Sequence, residues 1–215
     1  KTVVILGYGA YEKVKNSFLN KLIRFETLLT ALQYFSYALD GKSYMGVGRN
    51  LAYKKEVFIE ARGFDKHNHI KSGDDDLFVS QVSNQHNIAI CDHKDAFTLS
   101  RPHTHFKQWV RQKRRHITTA THYKTSTQFL LGIFFISQFF IYALAFTALI
   151  TETFTFIILP LFLIRLIFWY GTIEKTAARL NEKDLIAFGP LYEISIIFIQ
   201  LYIFIKNIIS PPKHW

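Results

Sequence analysis

The sequence contains a single cysteine, Cys91, among its 215 residues. One cysteine excludes an intrachain disulfide and leaves no cysteine spacing of the kind that binds zinc, which is consistent with a reducing compartment. Acidic residues are also few: 16 Asp and Glu stand against 26 Lys and Arg, a formal net charge of +10. This balance indicates an anionic partner, such as nucleic acid, a phosphorylated small molecule or an acidic membrane surface.

Charged residues are absent from positions 129–150. These 22 residues would span about 30 Å as a helix, enough to cross the hydrocarbon layer of a membrane. A second apolar stretch, 154–170, is interrupted only by Arg165. The residues before position 129 are far more polar. We therefore predict a polar domain over residues 1–128 and a membrane region over residues 129–215 with two to three transmembrane or interfacial helices.

A third apolar stretch covers residues 186–209 and contains Pro190 and Glu193. It either crosses the membrane or, interrupted at Pro190, lies partly along the interface. The polar residues 171–185 before it are predicted to be interfacial or aqueous. Because isolated charges are costly in apolar segments, we expect Arg165 and Glu193 either to pair with each other or to reach the membrane surface separately.

Basic residues next to the membrane region predict its orientation. Seven Lys and Arg, but no Asp or Glu, lie between residues 101 and 124, whereas the connection at 151–153 has no Lys or Arg. Positively charged flanks face the cytoplasm in membrane proteins. The polar domain is thus predicted to be cytoplasmic.

The first residue is Lys1, without an initiator methionine or a signal-peptide pattern. A predicted strand follows at 2–6 and needs neighbours to pair with, so we expect a fragment of a longer protein. The Gly7-Tyr8-Gly9 segment lacks the further residues of a dinucleotide or phosphate loop, and a turn is favoured there.

Apolar periodicity and breaker residues predict a mixed α/β fold for the polar domain. Helices are expected at 17–39, 54–61, 74–84 and in part of 105–124. Strands are expected at 2–6, 50–53, 88–90 and 97–99.

Three adjacent carboxylates, Asp74, Asp75 and Asp76, follow Ser72 and Gly73 at the start of a predicted helix. Ser72 lies three residues before Asp75, the spacing of a capping box. Successive helical residues are about 100° apart, so the three side chains cannot serve one site together. The apolar residues that follow place Asp74 and Asp75 closest to the buried border. A crowded carboxylate at such a border has a raised pKa and suits general-base chemistry.

The basic stretch 108–116 combines Gln, Trp, Arg, Lys and His. Such a stretch is commonly a solvated or membrane-facing helix surface. Its residue types also bind phosphate oxygens and stack on sugar or base rings. Gln112 and Arg115 are three residues apart and share a helix face, so they could grip one ligand.

The order of these motifs resembles the C-terminal half of a membrane-bound family 2 glycosyltransferase, related to cellulose and hyaluronan synthases. The resemblance covers roughly residues 40–125: a glycine-rich segment at 46–53, then Gly-Asp-Asp-Asp-Leu-Phe at 73–78, then Gln-Lys-Arg-Arg-His at 112–116 before apolar helices. It implies the C-terminal part of a GT-A nucleotide-sugar transferase domain followed by transmembrane α-helices.

The resemblance also implies roles for individual residues. Asp74 and Asp75 match the family's acidic pair, with Asp75 as the catalytic base. Gln112 and Arg115 match a second motif that contacts the donor diphosphate and the acceptor. His116 stands where the family has tryptophan, and the nearby Trp109 could compensate for that loss. Gly48 and Arg49 belong to the glycine-rich segment and are expected to contact substrate, as its closely approaching backbone allows.

The resemblance further implies a divalent metal, Mg²⁺ or Mn²⁺, bound mainly by an Asp-x-Asp motif. Outside the triplet 74–76 this sequence has no such motif, so the metal and nucleotide residues are expected to precede Lys1. None of the residues present is predicted to bind a metal, and the fragment alone is expected to be inactive.

The expected activity is inverting transfer of a sugar from a nucleotide-sugar donor to a lipid-linked or polysaccharide acceptor. The expected location is the cytoplasmic face of a bacterial inner membrane, in polysaccharide or cell-envelope biosynthesis and without a nucleic-acid partner. The alternative is a membrane-anchored protein without enzymatic activity, which binds anionic lipid or nucleic acid through residues 101–124. That alternative accounts for the charge but not for the acidic triplet.

Overall fold

The computed structural model describes residues 2–70 and 72–212. The strands are β1 (Val4–Gly7), β2 (Gly9–Tyr11), β3 (Leu51–Tyr53), β4 (Ile88–Cys91) and β5 (Thr98–Ser100). The helices are α1 (Phe18–Leu39), α2 (Lys55–Glu60), α3 (Asp74–Val82), α4 (Phe106–Thr119), α5 (Thr125–Thr151), α6 (Thr155–Arg179) and α7 (Gly189–Ile209). All helices and strands expected from the sequence are present within a few residues of their predicted limits.

The strands form two small sheets. In the first, β1 is central, antiparallel to β3 and parallel to β4, with Val4 opposite both Tyr53 and Ile88. In the second, β2 pairs in parallel with β5. A turn was predicted at Gly7-Tyr8-Gly9. This was wrong, because β1 ends at Gly7 and β2 begins at Gly9, with only Tyr8 between the two strands. The two glycines are needed for space, because a Cβ on Gly7 would lie 2.4 Å from the Asn50 side chain and one on Gly9 2.7 Å from Arg49.

Helix α1 supplies much of the core of the polar part. Ser17 caps it by accepting a hydrogen bond from the backbone N–H of Asn20 (3.1 Å), which satisfies a free donor of the first turn. Most of its apolar residues are buried, including Phe25 and Leu28, whereas Phe18 in the first turn is exposed. The buried hydroxyl of Tyr34 donates to the Gly7 carbonyl (2.7 Å) and so joins the helix to β1.

Helix α3 begins at Asp74, as predicted, but not by a capping box. Its N-cap residue is Gly73, with a left-handed backbone (φ 80°) and no capping side chain. The Ser72 capping box was therefore wrong. The left-handed turn favours glycine, and a Cβ at Gly73 would also lie 2.0 Å from Thr119 at the end of α4.

Three helices are long and apolar enough to cross a membrane, which confirms the predicted helical membrane part. α5 and α6 are joined by a tight connection in which Glu152 and Phe154 have left-handed backbones. α6 continues to Arg179, so most of the segment 171–185 is helical. The placement of this segment at the interface or in water stays a prediction.

Helix α7 packs against the polar part at both ends. Near its start, Tyr192 contacts the rings of Phe18 and Phe25 in α1. Near its end, Asn207 exchanges hydrogen bonds with Arg114 in α4 (2.8 and 3.0 Å). Pro190 lies in the first turn and does not break the helix, since a first-turn proline lacks only an N–H that has no helical partner. α7 therefore runs along the polar part.

Two buried ion clusters join the helices. Between α5, α6 and α7, Arg165 pairs with Glu193, which also accepts hydrogen bonds from Tyr142 (2.5 Å) and Gln138 (3.2 Å). The expectation that Arg165 and Glu193 pair with each other is confirmed.

The second cluster lies where α1 meets the segment after α6. Arg24, which is 1% exposed, donates to Glu182 and to both carboxylate oxygens of Asp184 (2.6 and 2.9 Å). Tyr8 also donates to Glu182 (3.2 Å). No sequence pattern predicted this cluster, because its members lie about 160 residues apart.

Candidate functional site

The acidic start of α3 presents three carboxylates to three different environments. Asp74 is exposed, Asp75 is half-buried and Asp76 is buried, with 3% of its surface exposed. The prediction that Asp74 and Asp75 lie at the buried border was wrong for Asp74. The prediction was based only on apolar residues within α3. In the structure, Tyr123, which follows α4, also contacts this helix start and donates a hydrogen bond to Asp76.

Asp75 is held by the glycine-rich segment. Its Oδ2 accepts a hydrogen bond from the Gly48 backbone N–H (2.7 Å), and its Oδ1 accepts one from the Asp76 N–H (3.0 Å). A Cβ at position 48 would lie 3.0 Å from Asp75 Oδ2, so a larger residue there would push against this carboxylate. Burial raises the pKa of Asp75, although the two N–H groups act in the opposite direction. The result is an oriented carboxylate with increased basicity, at a partly open position.

Asp76 is neutral over much of the physiological range. Burial, together with the charge of Asp75, raises its pKa to about 8, while hydrogen bonds from Tyr123 and the Gly46 backbone oppose the rise. The Tyr123 hydroxyl donates to Asp76 Oδ2 (2.6 Å). A neutral Asp76 adds no second negative charge beside Asp75, so Asp75 is the member of the triplet with the best position for proton transfer.

The side chain of Arg49 is committed to the protein itself. Its guanidinium donates to the carbonyls of Ala10 (3.0 Å) and Gly9 and lies over the Tyr11 ring, 4.0 Å from the ring centroid. The neighbouring Asn50 donates to the carbonyls of Tyr8 and Ala96 (2.8 and 2.9 Å). These bonds fix the segment that presents the Gly48 N–H. Sequence reasoning missed Asn50, whose only signal was its position directly after the glycines.

Helix α4 carries the predicted basic residues. Trp109 is only 1% exposed and packs edge-on against Phe106. It therefore lies in the core and cannot stack on a bound sugar, so its predicted substrate role was wrong. The reason is that Trp109 and Val110 form the buried face of α4, which the basic composition concealed.

His116 reaches solvent at the end of this basic run. The protein atoms around it, together with the cations Lys113 and Arg115, lower its pKa to about 4. The imidazole is therefore neutral at physiological pH. A neutral ring can contact a sugar without adding a charge, although its surface is smaller than that of an indole.

A cleft of about 930 Å³ lies between α4 and α7. Gln112 and Arg115 both line it, as expected from their spacing on one helix face. The end of α4 in turn meets the acidic residues, through the contact of Thr119 with Gly73 and the bond from Tyr123 to Asp76. The glycine-rich segment, the acidic helix start and the basic helix thus lie next to one another.

The side chains of residues 2–70 and 72–212 do not form a site that fits a resident metal. In the described ranges, no three His, Cys, Asp or Glu side chains form a group that could hold a metal ion. At the acidic start of α3, both Asp75 oxygens already accept N–H groups and Asp76 is protonated near neutral pH. We therefore derive no metal-dependent step from these residues.

Comparison with protein-family models, curated proteins and solved structures gave no match.

Proposed function

We propose that this chain contains the acceptor-activating part of a membrane-bound, inverting family 2 glycosyltransferase with a GT-A fold. The observation that supports this most directly is the half-buried Asp75, oriented by the Gly48 N–H and adjacent to the basic helix α4. The glycine-rich segment bonds directly to Asp75, and the end of α4 reaches the same helix start through Thr119, beside Gly73. A protein that only binds anions through α4 would have no use for this carboxylate.

In the proposed reaction, the oxygen of an acceptor hydroxyl group attacks the anomeric carbon of the donor sugar, and Asp75 accepts the proton of that hydroxyl group. The bond from that carbon to the nucleoside diphosphate breaks, and the configuration inverts. Raised basicity favours the proton transfer. Gln112 and Arg115 would donate hydrogen bonds to the departing diphosphate, where negative charge develops. The neutral His116 would contact the acceptor sugar.

The proposed location is the cytoplasmic face of a bacterial inner membrane, because the basic flank of α5 favours the cytoplasmic side. The proposed acceptor is lipid-linked or a polysaccharide, since α5, α6 and α7 place apolar surface close to the site.

The test is Asp75→Asn in the complete membrane protein, with release of nucleoside diphosphate as the assay. We expect about 10²–10⁴-fold slower transfer and unchanged donor affinity, because asparagine retains the shape but cannot accept the proton. Asp74→Asn, at the exposed neighbour, is the matched control and should remain within about twofold of wild type. Transfer by Asp75→Asn at the wild-type rate would exclude Asp75 as the base.

The class of protein has its own test. The complete, folded protein is incubated with a panel of nucleotide sugars, with and without lipid and glycan acceptors. Acceptor-dependent consumption of one donor supports the proposal. Specific binding of anionic lipid without consumption of any donor would favour the non-enzymatic alternative.

A further inference from the structure

The cleft between α4 and α7 extends well beyond the acidic site. Lys107 lies twelve residues before Thr119, the residue that contacts Gly73, which corresponds to about 18 Å along the helix. Five cationic side chains line the cleft: Lys107, Arg111, Arg114, Arg115 and Lys206. No Asp or Glu lies among its described lining residues.

The cations that line the cleft differ in whether they bond to other residues of the protein. Arg114 is used structurally, since it donates to Asn207 (2.8 Å) and to the Ser210 carbonyl and so joins α4 to α7. In contrast, Lys107 and Arg111 have no hydrogen-bond or ion-pair partner among residues 2–70 and 72–212. They are four residues apart on one helix face, so both can reach one ligand. Lys206 extends from the opposite wall, where it donates to the Tyr202 hydroxyl (2.8 Å).

An apolar surface adjoins these cations. Three apolar residues of α7 are exposed: Phe198, Ile205 and Ile209. Phe106 is also exposed, and it lines the cleft next to Lys107. The site thus combines a cationic pocket, with no Asp or Glu among its described lining residues, with an exposed apolar surface on α7, the helix that carries Lys206. A water-soluble anion would use the first feature only, whereas an amphiphile uses both.

We propose that the outer part of this cleft, formed by Lys107, Arg111 and Lys206, binds the phosphate group of an anionic membrane lipid, with its acyl chains against the exposed face of α7. Arginine and lysine side chains are suited to phosphate oxygens, and basic residues at the membrane surface attract anionic lipids. The site is separate from Asp75 and does not depend on sugar transfer.

The experiment measures binding of dioctanoyl phosphatidylglycerol to the detergent-solubilised full chain by microscale thermophoresis. Dioctanoyl phosphatidylcholine, glycerol 3-phosphate and inorganic phosphate are the comparison ligands. The variant is Lys107→Gln/Arg111→Gln. The matched control is Lys54→Gln/Lys55→Gln, which removes two exposed cations near α2. Thermal unfolding of each variant establishes that it is folded.

We expect phosphatidylglycerol to bind wild type and the control equally, and to bind the Lys107→Gln/Arg111→Gln variant roughly 30-fold more weakly, at about 1 kcal/mol for each cation removed. Phosphatidylcholine should bind weakly to all three proteins. Equal affinity for both lipids, or equal loss in the control, would overturn the proposal. Inorganic phosphate or glycerol 3-phosphate binding as tightly as the lipid would identify a site for soluble phosphate and overturn the lipid assignment.

Discussion

At the start of α3, Asp75 and Asp76 are surrounded by backbone N–H groups, a tyrosine hydroxyl and each other, whereas Glu182 and Glu193 each contact an arginine. All four carboxylates lie in or beside the protein interior. The arginine-paired groups have their charge compensated and join elements that are distant in sequence. The carboxylates of α3 have no such compensation, so burial raises the pKa of both.

This difference lies in charge compensation, since burial raises the pKa of the arginine-paired Glu182 as well. A buried ion pair fixes an arrangement and is costly to break. A carboxylate without a cation is costly to keep charged, and a raised pKa is a feature of functional sites. In the acidic triplet, only Asp75 combines a raised pKa with partial access to solvent.

The largest expected effect tests the buried ion pair between Arg24 and Glu182. Arg24→Met leaves Glu182 buried without its cation, and we expect a loss of about 3–5 kcal/mol in the free energy of unfolding. Thermal unfolding of the detergent-solubilised protein, followed by tryptophan fluorescence, measures it. Lys42→Met is the matched control, because Lys42 pairs with Asp40 at the surface, where such pairs contribute little. Equal stability of the two variants would show that Arg24 is dispensable.

A charge swap tests the second arginine-paired carboxylate. Arg165→Glu and Glu193→Arg each place two like charges together among apolar helices, at a cost of about 2.5–3.5 kcal/mol for each charge without a partner. Each single variant should give less protein in the membrane fraction, and the double variant should recover most of the loss. If the double variant accumulates no better than either single one, the pairing does not stabilise the helices.

The last expected effect concerns Asp76, which has no arginine partner. The pKa of Asp76 is about 8 in the folded protein and about 4 in an unfolded chain, so the folded state binds the proton more strongly. The free energy of unfolding should therefore decrease as pH rises from about 4 to about 8. Asp76→Asn is neutral throughout and removes this dependence.

The measurement is the unfolding temperature of wild type and Asp76→Asn at pH 5 to 8. The advantage of the variant should grow with pH across this range. Asp74→Asn, at the exposed position, should parallel wild type. A variant that becomes less stable than wild type as pH rises would mean that charged Asp76 is favoured in the fold.

Several features were predictable because they depend on local sequence. The apolar stripe of α1, the breaks at glycine and the charge-free stretch 129–150 all act over neighbouring residues. The pairing of Gln112 with Arg115 on one face of α4 follows from helix geometry alone. The spacing of acidic, glycine-rich and basic motifs also identified the segments that meet at the site.

The errors share a different cause. Asp74 was predicted to lie at the buried border but is exposed. Tyr123, 49 residues further along the chain, covers Asp76 instead. Trp109 was assigned to a ligand because its basic neighbours masked the buried face of α4. The capping box at Ser72 gave way to Gly73, whose left-handed turn allows Thr119 to approach. In each case a residue from another element defined the environment.

By itself, therefore, the sequence determined the elements, the apolar helices and the candidate motifs, since periodicity and charge act along the chain. The tertiary structure decided which carboxylates are buried, which are paired with arginine and which one is oriented at a partly open position. Burial and charge compensation depend on neighbours brought from distant segments, and burial is the main cause of the raised pKa of Asp75 and of Asp76.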